Sequence, residues 1–382
     1  MATLVTRRLL LALCATMLAP IAVLVQPERV CGPVCLDPDS GSAVEWLSTL
    51  GSVRLNEIQV VGSHNSYHRR PEVELYAMVD RRARAWDYHH PPLPEQLDAG
   101  FRAFELDVFV DDEGGRYARP LTIRGRGHEP EFESPGFKVL HVPDLDQGSN
   151  CPRLEGCLMD LAAWSAANPA HLPIVVMLEC MSFAVGDRLF LDFAEALPWE
   201  RRHVAALESL VRSTLGDERL ITPDMVRGRH ATLADAIRSD GWPEVESMRG
   251  RVLFVLTEDR HVAEELRTLH PRLEGSALFG QFGIDDPDAS LVVLNDPLAQ
   301  WAEIARAVGR GLLVRTRADA DLREARDADT ARRDAAIGSG AQVISTDVLA
   351  PRTRYSVRMP CGGIARISPR IAGNEAGRAI AP

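Results

Sequence analysis

The chain has 382 residues and a formal net charge of −11, from 43 Lys and Arg against 54 Asp and Glu. Its length is enough for one large domain or two medium ones, and its 46% of hydrophobic residues is ordinary for a globular protein with a sizeable core. The acidic balance argues against nucleic-acid binding, which needs a basic surface, and against simple electrostatic docking on anionic lipid. We therefore expect no nucleic-acid partner.

Residues 1–26 are predicted to be a signal peptide. Arg7 and Arg8 precede an apolar stretch from Leu9 to Val25 that Pro20 interrupts, a pattern typical of export signals. A retained N-terminal anchor is the alternative, but the stretch is short for a span of about 20 residues and contains a proline. No other segment could cross a bilayer. We therefore expect a secreted or extracytoplasmic protein, with residues 27–54 as an N-terminal extension.

The cysteine count agrees with export. If Cys14 leaves with the signal peptide, an even number of cysteines remains, which outside the cytosol favours disulfides. The plausible pairs are Cys31–Cys35, Cys151–Cys157 and, from the two that are left, Cys180–Cys361. The alternative is that some of these cysteines are free buried thiols. Their spacing does not match a structural zinc site.

From about residue 55 the chain alternates apolar runs with helical patterns. Several runs are continuous and rich in Val, Ile and Leu, as in parallel strands that are covered on both faces. The predicted strands are Ile58–Val61, Ala103–Val108, Val139–His141, Ile174–Glu179, Val252–Leu256, Ala277–Phe282, Leu291–Leu294, Leu312–Thr316 and Gln342–Thr346. The predicted helices are Leu158–Ala167, Glu200–Thr214, Pro297–Val308 and Ala320–Ala336.

This alternation predicts an α/β fold, a single-domain TIM-type (β/α)8 barrel over residues 55–367. An open doubly wound sheet is the alternative. The glycine-rich phosphate turn expected after the first strand of such a sheet is absent, because that strand ends in Gly62-Ser63-His64-Asn65. Residues 368–382 are predicted to be a disordered tail. We expect a monomer.

Two long polar insertions, Ser66–Pro94 and Asp111–Gly136, follow strands that carry candidate site residues. In a barrel both insertions would overhang the active face. Trp86 and Tyr88 in the first insertion could rest at a lipid interface, although such aromatic residues more often pack a loop down.

Two carboxylates stand close together on the predicted strand Ala103–Val108. Alternate side chains of a strand point to opposite faces, so Glu105 and Asp107 share one face. Left unpaired inside a barrel, the two charges would repel each other. A bound cation would remove that cost, and so would a salt-bridge network with Arg102 or Arg315.

A metal site is the favoured interpretation, because oxygen-bearing side chains recur at the ends of separate predicted strands. The candidate ligands are Asn65, Glu105, Asp107 and Glu179. Hard oxygen ligands without cysteine favour Ca²⁺ or Mg²⁺ over zinc. The abundance of calcium outside cells favours Ca²⁺, with Mg²⁺ as the less favoured alternative.

His64 and His141 also follow apolar runs and flank the carboxylates along the chain. Each alone would more often be a structural histidine. As a pair, they could take a proton from an attacking hydroxyl and give one to a leaving alkoxide, while the cation polarises a phosphoryl oxygen. Ser63 beside His64 lacks the nucleophile elbow of a serine hydrolase. Cleavage of a phosphodiester is the chemistry that this set favours.

Three secondary candidates lie at the ends of the last two predicted strands. Arg315 and Arg317 alternate onto one face and could contact the substrate; the alternative is a structural salt bridge to barrel carboxylates. Asp347 could line the mouth of the barrel or accept a hydrogen bond from a site histidine.

The remaining histidines of these loops are interpreted more simply. His68 follows His64 by four residues and is interpreted as a support behind the site. His89 and His90 lie in a proline-rich loop and are predicted to be solvated. The sequence indicates no partner for the loop residue His128.

The ordered set His-Asn, Glu-x-Asp, His and Glu resembles the phosphoinositide-specific phospholipase C superfamily, and most closely its secreted, calcium-dependent bacterial branch. The resemblance rests on GSHNSYH, FELDVF, LHVPDLDQGSNC and VVMLEC, and it is extended by RGRVLFVLTEDR and VISTDV. It covers roughly residues 55–350, nearly the whole chain after the signal peptide.

The resemblance implies a TIM-type barrel that holds one Ca²⁺. It implies His64 and His141 as the acid–base pair and Asn65, Glu105, Asp107 and Glu179 as ligands. It further implies attack of the inositol 2-hydroxyl on phosphorus, with diacylglycerol leaving and a cyclic inositol phosphate forming. The partner would be a membrane surface that contains phosphatidylinositol, bound transiently.

The sequence departs from the family pattern in one strand. Animal enzymes that cut polyphosphorylated inositides carry lysines in the strand matching Arg251–Arg260, and here that strand reads Val252-Leu253-Phe254-Val255-Leu256. Unphosphorylated phosphatidylinositol is therefore the predicted lipid. The alternatives are a glycerophosphodiester phosphodiesterase, whose family typically begins His-Arg-Gly where this chain has His64-Asn65, and a secreted lipid-binding barrel without catalysis.

Overall fold

The computed structural model describes residues 35–36, 53–122, 125–182, 193–349, 354–359 and 365–368. The predicted signal peptide, most of the N-terminal extension and the tail after residue 368 lie outside the described residues. Within the described ranges, no helix combines the length and the hydrophobicity needed to span a membrane.

Eight parallel strands form a nearly closed barrel, which confirms the predicted TIM-type fold. The strands are β1 (Ile58–Ser63), β2 (Ala103–Asp111), β3 (Ile174–Cys180), β4 (Val252–Thr257), β5 (Leu278–Gly280), β6 (Leu291–Val293), β7 (Leu313–Arg317) and β8 (Val343–Thr346). Each strand pairs with the next along the chain and β8 pairs with β1, but in the described part no ladder joins β5 to β6. Nearly all strand residues are buried, because the barrel interior covers one face and the helices cover the other.

Helices follow the strands around the outside of this barrel. Those that the structure describes are α1 (Val73–Val79), α2 (Leu93–Asp98), α3 (Leu154–Ala167), α4 (Arg201–Leu215), α5 (Pro223–Arg227), α6 (Leu233–Ser239), α7 (Arg260–Leu269), α8 (Trp301–Gly309), α9 (Arg323–Asp327) and α10 (Ala331–Gly338). Three of the predicted helices correspond to α3, α4 and α8. They end within one residue of the predicted ends, where Asn-Pro or glycine stops a helix.

The prediction of one helix over Ala320–Ala336 is wrong. The chain forms α9 and α10 instead, separated at Ala328, whose φ of 53° lies in the left-handed region. The Asp329 carboxylate accepts a hydrogen bond from the backbone N–H of Ala331 at 2.9 Å. An aspartate that binds the backbone two residues ahead favours the start of a helix over its interior, so it begins α10.

The predicted strand Val139–His141 is shifted along the chain and lies outside the barrel. It spans Gly136–Val139 and pairs antiparallel with the far end of β2, where Val108 opposes Val139. The long β2 extends beyond the parallel ladder, and its free end takes this hairpin partner. His141 therefore lies in the following loop and not at the end of a barrel strand. Other short antiparallel pairs are Leu121–Thr122 with Gly125–Arg126 and Cys35–Leu36 with Ala365–Ile367.

The predicted disulfide Cys151–Cys157 is confirmed, and it joins the segment before α3 to the first turn of α3. Cys180 is a free, buried thiol whose S–H group donates to the carbonyl oxygen of Leu178. The predicted pair Cys180–Cys361 is therefore wrong, because Cys180 is enclosed in the barrel wall at the end of β3. Cys31 and Cys361 lie outside the described residues.

Candidate active site

At the mouth of the barrel, β1 approaches β2 so closely that residue 62 has no room for a side chain. A Cβ on Gly62 would stand 2.7 Å from Ala103 Cβ and 2.8 Å from the Ala103 carbonyl oxygen. The chain after β1 then turns over β2. The Ser66 N–H donates to the Glu105 carbonyl oxygen at 2.9 Å, and the Glu105 N–H donates to Ser66 Oγ at 2.8 Å. These bonds bring the segment after β1 beside the carboxylates of β2.

Three of the predicted ligands form one cluster. Asp107 and Glu179 are register partners in the β2–β3 ladder, and Glu105 shares a face of β2 with Asp107. Each offers a carboxylate oxygen, and these oxygens lie within 4.8 Å of one another. Glu105 and Asp107 are buried, and Asp107 Oδ1 has no hydrogen-bond partner among the described residues. A buried oxygen without a partner is costly, and a bound cation would remove that cost.

The protein balances only part of the negative charge of this cluster. Burial raises the pKa of Asp107 to about 7, against the effect of His141. Burial and the neighbouring carboxylates raise the pKa of Glu179 well above its ordinary value. Burial also disfavours ionisation of Glu105, but Arg315 and other nearby cations outweigh it and lower the pKa of Glu105. Three hard carboxylates with an unpartnered oxygen form the kind of donor set that suits Ca²⁺.

Asn65, the fourth predicted ligand, lies beside the cluster. Its backbone adopts a left-handed conformation with a φ of 45°, which asparagine tolerates better than most residues. Its backbone N–H donates to Glu105 Oε1 at 3.4 Å, while its side-chain amide donates to the Tyr88 hydroxyl at 3.0 Å. The position is compatible with a ligand, and the assignment stays a prediction.

Arg315 is bound to the barrel itself. Its guanidinium pairs with Glu105 Oε2, donates to Asn295 Oδ1 and donates to Ser345 Oγ. The side chain is only 1% exposed. The alternative that the sequence left open for Arg315, a salt bridge to a barrel carboxylate, is the contact present in this structure.

His64 lies between the cluster and a second carboxylate. Its Nε2 is 3.3 Å from Glu105 Oε1, and its Nδ1 is 2.6 Å from Asp347 Oδ1. The other oxygen of Asp347 accepts from Arg317 Nη2 at 2.8 Å. Burial and Arg317 lower the pKa of His64, although Glu105 and Asp347 act in the opposite direction. Asp347 thus orients His64, which is one of the two roles predicted for it.

His141, which influences the pKa of Asp107, has an equivalent arrangement. Its Nδ1 is 2.8 Å from Asp146 Oδ2, and the same oxygen is 2.9 Å from His68 Nε2. Burial disfavours the charged form of His141, but the hydrogen bond to Asp146 and the charges of Asp146, Asp107 and Asp347 together outweigh it and raise the pKa of His141. The Trp86 ring stands edge-on to the imidazole at 6.0 Å. Both site histidines keep part of the ring exposed, 18% for His64 and 23% for His141.

The first insertion folds over this site, as its position in the sequence predicts. Tyr88 is buried and Trp86 is half-buried against His141, so both aromatic residues pack the loop down. The prediction that His90 is solvated is wrong. Its side chain is buried and its Nε2 is 2.9 Å from the His64 carbonyl oxygen. His89 is exposed, and His128, which had no predicted partner, pairs with Glu133 at 2.8 Å.

Sequence reasoning missed three buried residues that support the site. Asp146 stands between two histidines, and Asp319 accepts from the backbone N–H of Asp347 at 2.8 Å. The Tyr67 hydroxyl lies beside Asp107, and burial together with that carboxylate raises the pKa of Tyr67. Asp146 belongs to the conspicuous run LHVPDLDQGSNC, and its position shortly after His141 was the one feature of the sequence that could have identified it as a site residue.

Comparison with known proteins agrees with this geometry. The family model for Ca²⁺-dependent phosphoinositide phospholipase C matches residues 53–369. A calcium-dependent phosphoinositol-specific phospholipase C from Pseudomonas sp. is 18% identical, with a TM-score of 0.53 over 82% of this chain and 95% of that one. The Ca²⁺-dependent phosphatidylinositol-specific enzyme from Streptomyces antibioticus is 19% identical, with a TM-score of 0.51 over 78% and 95%. At such identities these likenesses show the fold alone.

Matches with curated proteins are short. The probable beta-1,4-xylosyltransferase IRX10 of Arabidopsis thaliana is 30% identical over 118 residues, which is 31% of this chain and 28% of that protein. The probable glucuronosyltransferase 47 A of Physcomitrium patens is 31% identical over 111 residues, 29% of this chain and 24% of that protein. This chain thus spans only about a quarter of the curated relatives it matches. The family model, in contrast, covers most of the chain, which belongs to the Ca²⁺-dependent phosphoinositide phospholipase C family.

Proposed function

We propose that this protein is a calcium-dependent phospholipase C that cleaves phosphatidylinositol to diacylglycerol and a cyclic inositol phosphate. One observation carries the proposal. Beside the cluster of Glu105, Asp107 and Glu179, His64 lies 3.3 Å from Glu105 and His141 is near enough to influence the pKa of Asp107; each histidine is partly exposed and has a carboxylate on its Nδ1. That arrangement offers a cation site and two groups that can transfer protons at one mouth.

Glu105, Asp107 and Glu179, with Asn65, are the residues that would hold the cation. A bound Ca²⁺ would polarise the phosphoryl oxygen and lower the pKa of the attacking hydroxyl. The unpartnered Oδ1 of Asp107 and the raised pKa values of Asp107 and Glu179 support this assignment.

The two histidines would move the protons. With Nδ1–H donated to Asp347 or Asp146, each imidazole would present Nε2 to the substrate, for which Nε2 of His64 exchanges its 3.3 Å contact with Glu105. One histidine takes the proton of the inositol 2-hydroxyl as its oxygen bonds to phosphorus. The bond from phosphorus to the diacylglycerol oxygen breaks, and the other histidine gives that oxygen a proton. The proton count balances, no covalent bond to the chain is left, and the two histidines regain their starting protonation by exchanging a proton with solvent.

The substrate headgroup would be unphosphorylated. β4 carries no cationic residue along Val252–Thr257, so this part of the mouth offers no charge for an extra phosphate. Of the predicted substrate contacts, Arg317 is the most accessible, at 13% exposed against 1% for Arg315 and 2% for Asp347. Arg317 is therefore the residue we assign to substrate contact. The protein would act outside the cytosol as a monomer that visits the membrane transiently.

The decisive experiment is incubation with phosphatidylinositol and with glycerophosphocholine, each with Ca²⁺ or with a chelator. The proposal predicts cyclic inositol phosphate from the first substrate with Ca²⁺ only. Glycerol phosphate from the second substrate would identify a glycerophosphodiester phosphodiesterase instead. No product from either would identify a barrel without this catalysis.

A further inference from the structure

A small pocket opens between the ends of β4 and β5. Its volume is about 170 Å³, and Thr257, Gln281 and Phe282 are among the residues that line it. This volume is below the roughly 300–1,000 Å³ of pockets that enclose a whole small ligand. The pocket can therefore take one edge of a larger molecule whose remainder lies at the mouth of the barrel.

The register of the sheet places this pocket next to the carboxylate cluster. Thr257 is the partner of Glu179 in the β3–β4 ladder, and residues at the same level of neighbouring parallel strands point to the same face. Gly280 pairs with Leu256 in the next ladder, and the Gln281 N–H donates to the Leu256 carbonyl oxygen at 2.9 Å. Gln281 thus stands at the level of Thr257, and both lie beside Glu179.

Two polar atoms of these lining residues have nothing to bind. Thr257 is 1% exposed, and neither its Oγ1 nor the buried Oε1 of Gln281 has a hydrogen-bond partner among the described residues. A buried polar atom without a partner is costly, and such atoms are few in native proteins. A hydroxyl can donate and accept, and an amide oxygen can accept. The pair therefore matches a ligand that carries neutral hydroxyl groups.

The entrance of the pocket carries an unpaired negative charge. Glu258 lines it, is exposed, and has a left-handed backbone with a φ of 69°, a conformation that is costly for glutamate. In the described part of the chain its carboxylate has no ion pair. Burial, with a contribution from Glu258, raises the pKa values of Asp107 and Glu179, so this charge lies near the cluster. Arg260 also lines the pocket, but its guanidinium is 80% exposed and faces Glu264.

We propose that this pocket receives ring hydroxyls of the inositol headgroup, with Thr257 and Gln281 as the binding residues and Glu258 as the residue that rejects a phosphate there. A phosphate on a ring hydroxyl carries roughly 1.5 to 2 negative charges at neutral pH and would be repelled by the Glu258 carboxylate. The inference rests on the proposed function for the identity of the headgroup, but the binding of hydroxyl groups can be measured without any catalysis.

The first test measures the binding of free myo-inositol by ligand-observed NMR. Thr257→Val keeps the shape of the side chain and removes the hydroxyl, so the Kd for myo-inositol should rise about 10-fold, as expected for one lost hydrogen bond. The Tm of the free protein should rise as well, because the variant lacks the unpartnered oxygen. Gln281→Met should weaken binding in the same way. The control is Thr268→Val, at an exposed threonine of α7 whose hydroxyl donates to the Glu264 carbonyl oxygen, and it should leave the Kd unchanged.

The second test compares the three monophosphorylated phosphatidylinositols with phosphatidylinositol, which the wild type should prefer. Glu258→Gln should raise the relative kcat/KM for at least one of the three by about 10-fold at low ionic strength, because a repulsion between charges is removed. Added salt screens that repulsion and should reduce the gain. The position of the accepted phosphate identifies the hydroxyl that occupies the pocket. Glu246→Gln, before the opposite end of β4, where the carboxylate pairs with Arg249, is the matched control.

The outcomes separate the two proposals. If Thr257→Val binds myo-inositol as the wild type does, or if an active wild-type enzyme does not bind it, the pocket is not a hydroxyl subsite. An unchanged substrate preference of Glu258→Gln would remove the rejection of phosphate. If the wild type binds myo-inositol through Thr257 but does not cleave phosphatidylinositol, only the proposed function is overturned. A wild type that neither binds the one nor cleaves the other would overturn both.

Discussion

The two site histidines are held in the same way by different parts of the fold. His64 lies just after β1, and its Asp347 and Arg317 partners come from the ends of β8 and β7, so the barrel ladder fixes all three. His141 and Asp146 lie in one loop outside the parallel strands, with His68 from another loop.

The difference teaches that one chemical task, fixing an imidazole, can be solved by sheet register or by loop packing. In the first triad, formed by His64, Asp347 and Arg317, a guanidinium neutralises the carboxylate. A guanidinium stays charged under all ordinary conditions. In the second, formed by His141, Asp146 and His68, the carboxylate lies between two imidazoles and has no guanidinium beside it. The first triad is therefore rigid in position and in charge, and the second depends on how its loops are fastened.

The largest expected effect tests whether both triads serve catalysis. His64→Ala and His141→Ala should each lower the turnover of phosphatidylinositol by about 10²- to 10⁴-fold, the contribution typical of general acid–base groups, with little change in Tm. Near-normal activity of either variant would remove that histidine from proton transfer.

A nitrophenyl ester of inositol phosphate then separates the two roles, because nitrophenolate leaves without a proton. The variant that lacks the general acid should recover most of its activity on this substrate, while the variant that lacks the base should not. Equal recovery of both variants would contradict a division of labour between the histidines.

The next largest effect concerns the cluster of three carboxylates, Glu105, Asp107 and Glu179. Glu179→Gln should raise the Ca²⁺ concentration for half-maximal activity by about 10-fold or more, because it removes one charged ligand. It should also raise the Tm measured without Ca²⁺ at a pH above the raised pKa of Glu179, because it removes a buried charge that Glu105 and Asp107 repel. Glu200→Gln, at an exposed carboxylate that pairs with Arg202, is the matched control. An unchanged calcium titration would exclude Glu179 as a ligand.

A smaller effect should distinguish the side chains that pair with Asp347 from those that pair with Asp146. Asp347→Asn leaves the guanidinium of Arg317 without its carboxylate, and breaking a buried pair in this way typically costs about 3 kcal/mol. Asp146→Asn leaves no permanent charge unpaired, because its partners His68 and His141 are imidazoles, so the loss should be nearer the roughly 1–2 kcal/mol of an unmet hydrogen bond. Urea unfolding of both variants measures the difference. Equal losses would mean that the guanidinium and the imidazoles depend on their carboxylates to the same extent.

The smallest effect concerns the disulfide that anchors the chain near the second triad. Reduction of Cys151–Cys157 should lower the free energy of unfolding by about 2 kcal/mol, as expected for so short a loop. The calcium requirement should not change, because the three carboxylates stand on β2 and β3. Cys180→Ser, at the free thiol, should show the same response to reductant as the wild type. An unchanged Tm on reduction would show that the disulfide does not stabilise the fold.

The sequence by itself determined the barrel and the shared face of Glu105 and Asp107. Both follow from local periodicity, since a strand that is covered on both faces is apolar throughout and alternate side chains share a face. The same reasoning supplied the local disulfide Cys151–Cys157, six residues apart. It failed at Ala328, whose left-handed backbone, followed by a turn in which Asp329 accepts from the Ala331 N–H, separates two helices.

Only the tertiary structure decided which groups neutralise one another. Asp347 reaches His64 across 283 residues, and Arg315 reaches Glu105 across 210. These pairings arise when β8 closes on β1, an event that no local pattern encodes. The burial of His90, the free thiol of Cys180 and the place of Asp146 between two imidazoles have the same origin. Periodicity fixes the face on which a side chain lies, and closure of the chain fixes its partner.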